Sequence, residues 1–186
     1  MDAKEEIMSF YKTRLEQMLS DADFRRLLKD PKILEYKDFK KYKDLYELLP
    51  NDKDYAIILT EFKPNSGHWC ALTRKENRFY WMDSYGVKYD GENKFIPTAM
   101  RKMLGEDDKD LTRLVKATKL KGGIVDYNKK KYQILKDGIN TCGRWTYNFI
   151  IMHELGYTPE QYREIWKKLK ANNGGKPYDL LLCEMI

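Results

Sequence analysis

Long apolar runs are what this chain most plainly lacks: nowhere do its 186 residues approach the roughly 18 consecutive apolar side chains of a membrane-spanning helix. No membrane partner is expected. Cysteine is scarce too. The three present, Cys70, Cys142 and Cys183, are odd in number and include no C-x-x-C pair, which leaves out a disulfide framework and a zinc knuckle and points to a reducing compartment. The opening residues, Met1-Asp2-Ala3-Lys4-Glu5-Glu6, are acidic where a secretory leader would be basic, and no apolar segment follows them, so secretion is not expected. Histidine is rarer still. Only His68 and His153 occur, which makes the search for a base short.

Against these absences stand a hydrophobic share of 42% and aromatics at 13%, enough for a globular core. The length favours one domain spanning 1–186, with a helical N-terminal part over 1–50, a catalytic core over 54–155, and a C-terminal helix and tail over 156–186. Lys and Arg exceed Asp and Glu by 35 to 29. The densest basic run is Lys129-Lys130-Lys131, with Lys119 and Lys121 upstream; a solvated face is the first reading of it and a nucleic-acid contact the second.

Ile7, Phe10, Tyr11, Leu15 and Leu19 recur at helical steps, and residues 4 to 49 read as helical until Pro50-Asn51-Asp52 stops them. The period then changes. Tyr55 to Phe62, His68 to Arg74 and Arg78 to Asp83 read as strands. Gly86 to Asn93 reads as a loop, Phe95 to Leu104 as a short helix, Leu111 to Thr118 as another strand, and Lys119 to Gly138 as irregular. From Cys142 an apolar helix runs to a glycine stop at Gly156, and a further helix follows from Pro159 to about Ala171, capped by Thr158. Helices, then strands, then helices predict an α+β domain.

Cys142 falls at the start of the apolar helix, where unpaired backbone N–H groups and the dipole's positive end favour thiolate over thiol. His153 lies eleven residues further along the same helix, about 16 Å away at 1.5 Å per residue, too far to serve it. His68 remains. A hairpin loop centred between Lys75 and Glu76 places His68 directly across from Asp83, so that the carboxylate accepts the imidazole Nδ1–H and leaves the other nitrogen for a thiol. A loop of odd length would instead send the two side chains to opposite faces. The Cys142 N–H supplies one oxyanion donor, and Gln133 or Asn140 could supply an amide. Trp69 is placed to wall the cleft. Cys70 shares the face of His68, and Cys183 sits among leucines as a packed residue. One H-x-C pair with Asp83 falls short of four-ligand zinc spacings, so no metal is expected.

Taken in order, Gly67-His68-Trp69, Trp81-Met82-Asp83-Ser84, a glutamine and Thr141-Cys142-Gly143 resemble the His, Asp, Gln, Cys sequence of the SUMO-protease and adenain superfamily of cysteine peptidases, over about residues 54–155. The resemblance implies a papain-like fold, with a central mixed sheet packed on a helix that begins at the nucleophile. It implies catalytic His68, Asp83 and Cys142, Gln133 in the oxyanion hole and no cofactor, with DNA or a peptide as an activator to test, since adenain's activity is linked to DNA. Two departures stand out: Gln133 lies further from Cys142 than in many members, and Thr141 replaces an aspartate common in cellular SUMO proteases. The Thr141-Cys142-Gly143-Arg144-Trp145 form and the compact length are similar to maturation proteases of DNA viruses and virophages. Such a likeness implies a monomeric endopeptidase that processes capsid or core precursor polyproteins near glycine, in the virion or the infected-cell cytoplasm. The alternatives are a deubiquitinase or SUMO deconjugase and, further off, a basic DNA-binding protein with an inactive protease fold.

Overall fold

Pro31 interrupts what periodicity alone would make one helical region. In the computed structural model, which describes residues 3–64, 66–106 and 109–186, helices α1 (Ala3–Glu16) and α2 (Asp21–Leu27) end before it. Ser20 caps α2, accepting from the Asp23 N–H while Asp23 accepts from the Ser20 N–H. Asp30 then takes a positive φ of 45° before the proline, where helical backbone is disfavoured. Beyond the proline comes a strand, β1 (Ile33–Glu35), which corrects the expectation of continuous helix to residue 49. A 3-10 turn (Tyr36–Lys41) and the short α3 (Leu45–Leu48) complete this part.

Strands β2 (Tyr55–Lys63), β3 (Ser66–Lys75) and β4 (Arg78–Met82) form an antiparallel meander close to the expected boundaries. Parallel strands flank it on both sides, β1 beside β2 and β5 (Ile124–Tyr127) beside β4, giving a mixed sheet in the order β1-β2-β3-β4-β5. This sheet with its helices fits the α+β class. β5 corrects the reading of that segment as irregular: at four residues, it is a strand because β4 offers it an edge, which no local pattern announces.

The second correction concerns Leu111 to Thr118, which belongs to helix α5 (Asp110–Leu120) rather than to a strand. Its β-branched residues suggest a strand, but Leu111, Leu114, Val115 and Thr118 are the buried ones, at the i, i+3, i+4, i+7 spacing of one helical face. Before it, a 3-10 turn (Glu92–Phe95) and α4 (Thr98–Leu104) replace the single helix expected from Phe95. Pro97 stands at the N-cap of α4. After α6 (Cys142–Glu154) and α7 (Pro159–Asn172), the expected tail holds a further helix, α8 (Tyr178–Met185).

Alternation along the strands divides the core in two. Ile57, Trp69, Ala71 and Met82 face Trp145, Phe149 and Ile150 of α6, backed by Tyr162, Trp166 and Leu182. Ala56, Ile58, Cys70, Leu72 and Trp81 face the other way, onto α3, α5 and the 3-10 turn. Thus α6 lies across one face of β3, with its first residue at the His68 end.

Just past α4, the fully buried Glu106 accepts a hydrogen bond from the Glu61 N–H (3.2 Å), while its second oxygen has no partner among the described residues. Burial, opposed by that bond, pushes its carboxyl from 4.5 up to about 7. The folded state therefore keeps a proton that the unfolded chain releases. Its contribution to stability is complete below pH 4.5 and is lost as pH rises through 7. Glu106→Gln is expected to flatten this decline and to be more stable than the parent at pH 8 by up to roughly 3 kcal/mol. Urea denaturation at pH 5 and pH 8 measures it; an equal pH dependence in both chains would refute it.

Candidate active site

Thr141 precedes α6, but its hydroxyl does not cap the helix. It donates to Asp179 Oδ1 of α8 at 2.5 Å, and Asp179 also accepts from the Trp145 indole N–H (3.0 Å) and the Ile134 N–H (2.8 Å). The first-turn N–H groups of α6 are thereby left to Cys142 and whatever approaches it. Cys142 is half-buried. Burial opposes its charged form, but a hydrogen bond with His68, the His68 charge and the N–H groups of Trp69 and Gly143 outweigh that and hold the thiol below its ordinary value. A Cβ on Gly143 would come within 2.8 Å of the Leu19 side chain, so glycine here lets the first turn seat against the segment that walls the cleft.

His68 lies near the start of β3, opposite Thr60, and is 2% exposed. Its predecessor Gly67 sits so close to β2 that an added Cβ would be 2.0 Å from the Thr60 carbonyl oxygen. Only glycine permits this approach next to the bulge where β2 and β3 shift register between Glu61 and Lys63. Thr146 of α6 donates to the Trp69 carbonyl (3.1 Å), tying the helix to the strand one residue from the histidine.

Asp83 follows β4 directly and is fully buried. Its Oδ1 lies 3.3 Å from His68 Nε2 and accepts from the Tyr85 N–H at 2.7 Å. The expected pairing of these two side chains is present, with two corrections. The hairpin turns on Glu76 and Asn77, with Lys75 paired to Arg78, so that Tyr85 rather than Asp83 falls opposite His68. Accordingly, the Tyr85 ring stacks on the imidazole at 4.7 Å. A shift of two residues preserves the face, which is why histidine and carboxylate still meet, diagonally. Second, the carboxylate takes Nε2 and not Nδ1. The Cys142 thiol hydrogen-bonds with His68 and the Trp69 backbone, and with Nε2 on the carboxylate, Nδ1 is the nitrogen that remains for it.

Asn128, after β5, grips the Asp83 backbone from both sides: its Oδ1 accepts from the Asp83 N–H (2.8 Å) and its Nδ2 donates to the Asp83 carbonyl (2.6 Å). Gln133 is buried between the loop after Asp83 and the loop before Cys142. It accepts from the Ser84 hydroxyl (2.7 Å) and donates to the Ile139 carbonyl (3.0 Å). Asn140, the other amide, is committed elsewhere, donating from Nδ2 to Glu16 O (2.9 Å) and from its backbone to Leu15 O (2.7 Å). Trp69 donates its indole N–H to Leu19 O (2.8 Å) and lines the cleft as expected. That cleft, about 770 Å³, runs from Cys142 between the 18–21 segment and β1, over Leu59 and Gly67.

His153 lies at the far end of α6, bonded to Lys53 O at 3.1 Å, with burial lowering its pKa. Cys183 is buried on α8. One nitrogen of His68, Cys70 Sγ and one oxygen of Asp83 lie within 4.8 Å of one another and are the described residues able to hold a metal. Sequence reasoning missed Tyr85, Asn128 and Asp179. Tyr85 was readable had the turn been set on Asn77, a residue that tolerates turn conformations; the other two carry no local signal.

No helix among the described residues is long and apolar enough to cross a membrane. No family model matches the sequence. Over 139 residues it is 30% identical to uncharacterized protein V9 of Sputnik virophage, an alignment that covers 74% of this chain and 77% of that protein.

Proposed function

The chain belongs to the family of the Sputnik virophage protein V9, and from the geometry of the site we propose that it is a cysteine endopeptidase of the adenain and SUMO-protease type. The observation that carries the proposal is the relay from Cys142, at a helix start, through His68 to a buried Asp83, at the end of an open cleft.

In this mechanism His68 takes the thiol proton at Nδ1 while Asp83 fixes the ring through Nε2–H. The Cys142 sulfur attacks the scissile carbonyl, and the oxyanion is met by the Cys142 N–H and the Gln133 amide. His68 then gives its proton to the departing amine, and water activated by the same ring releases the acyl group. Because the relative belongs to a virophage, a maturation protease acting on capsid or core precursors near glycine, in the virion or the infected cell, is the first reading and a deconjugase the second.

The test is labelling by electrophilic probes built on ubiquitin, SUMO and a short glycine-terminated peptide. Wild type is expected to be labelled once, by the peptide probe, and Cys142→Ala not at all. Preference for the ubiquitin or SUMO probe would transfer the chain to the deconjugases, and undiminished labelling of Cys142→Ala would refute the nucleophile.

A further inference from the structure

We propose that the catalytic centre contains a binding site for a borderline-soft divalent cation, zinc in the first instance, made by His68, Cys70 and Asp83, and that its occupation switches the enzyme off. The second half rests on the peptidase reading above; the site itself does not.

Three observations converge. The three donor atoms lie within 4.8 Å of one another, on side chains that are all buried. One nitrogen, one thiol sulfur and one carboxylate oxygen form a set that suits zinc and not magnesium or calcium, which take oxygen donors. The spacing also fits: two light ligand atoms bound tetrahedrally to zinc sit roughly 3.3 Å apart, and His68 Nε2 and Asp83 Oδ1 are 3.3 Å apart.

The independent observation is on Asp83. Its Oδ1 already serves His68 and the Tyr85 N–H, yet Oδ2 is buried with no hydrogen-bond partner among the described residues. Such an oxygen normally costs stability, and a cation chelated by both carboxylate oxygens, Oδ1 at its 3.3 Å spacing from Nε2 and Oδ2 beside it, would satisfy it. Cys70 supplies the sulfur because it stands two residues from His68 in β3, on the same face. Nothing in the peptidase mechanism uses Cys70.

The consequence follows from proton bookkeeping. On binding, the Cys70 thiol releases its proton to solvent and the thiolate, the Nε2 lone pair and the carboxylate coordinate the metal. A neutral imidazole bound through Nε2 must carry its only ring proton on Nδ1. That is the atom that has to accept the Cys142 proton, so a metal-bound His68 is no base. Metal occupancy and catalysis exclude each other.

The experiment is a cobalt(II) titration of the Cys142→Ala chain, which cannot show a nucleophile thiolate. The expected result is one equivalent bound, with a thiolate-to-cobalt charge-transfer band and tetrahedral d–d bands, both displaced by zinc. Adding Cys70→Ala removes the charge-transfer band, and adding Cys183→Ala leaves it. In case Cys70→Ala fails to fold, Cys142→Ala/His68→Gln is the second arm, with at least tenfold weaker binding expected. No stoichiometric binding to Cys142→Ala, or a thiolate band that survives Cys70→Ala, would overturn the site. Zinc inhibition of wild type, reversed by a chelator, tests the switch. The cobalt spectrum needs no turnover, so failure of the site and failure of the peptidase reading are told apart.

Discussion

Exchanging His68 for alanine is expected to slow peptide hydrolysis by on the order of 10²- to 10⁴-fold, the usual contribution of a positioned general base. The same change removes the hydrogen bond and charge that favour the Cys142 thiolate. The pH midpoint of Cys142 alkylation by iodoacetamide should therefore lie below that of an ordinary thiol in wild type and move up in the variant. Cys70 and Cys183 are buried, so the reagent reports on Cys142. An unmoved midpoint would remove His68 from its role as base, whatever happened to turnover. Asp83→Asn separates orientation from proton transfer: it keeps the shape, and the expected loss of rate comes with little change in KM.

Removing Asp179 should cost the most stability of any polar change. Its carboxylate is buried, and burial raises its pKa, opposed by hydrogen bonds from Thr141, Trp145 and Ile134. Asp179→Ala strands those three donors, at about 1–3 kcal/mol each when unsatisfied. A total loss of roughly 3–6 kcal/mol is expected, a large part of the stability of an ordinary domain. Asp179→Asn retains an acceptor oxygen and should lose less. Urea denaturation of both variants checks this, and a loss below about 0.5 kcal/mol in Asp179→Ala would show the network to be dispensable. Thr141 and Ile134 adjoin Cys142 and Gln133, so the network that holds α8 to the core also holds the loop before Cys142 and the proposed oxyanion amide in place.

Much of the candidate site was legible before any coordinates. Two histidines and three cysteines leave few possible relays, and a cysteine opening an apolar helix is activated by position alone. The strand from His68 and the helix from Cys142 follow from periods of two and of three to four residues. Misreadings occurred where local pattern and long-range pairing compete. β-branched residues disguised α5, while β5 exists only because β4 lies beside it. Gln133 and Asn140 are alike in composition; their hydrogen bonds separate them, one turned inward between Ser84 and Ile139, the other outward to α1.

By itself, then, the sequence determined the candidate groups, the strands and helix that carry them, and the shared face of His68 and Asp83. That last survived a misplaced turn because an even shift in register returns every side chain to its own side of the sheet. Only the tertiary structure decided which imidazole nitrogen meets the acid, which amide turns inward between Ser84 and Ile139, and that Tyr85, Asn128 and Asp179 hold the centre together. The bonds from Asn128 to Asp83 and from Asp179 to Thr141 join positions 45 and 38 residues apart. Contacts at such separations are made by the packing of whole elements, and no periodicity within a single segment encodes them.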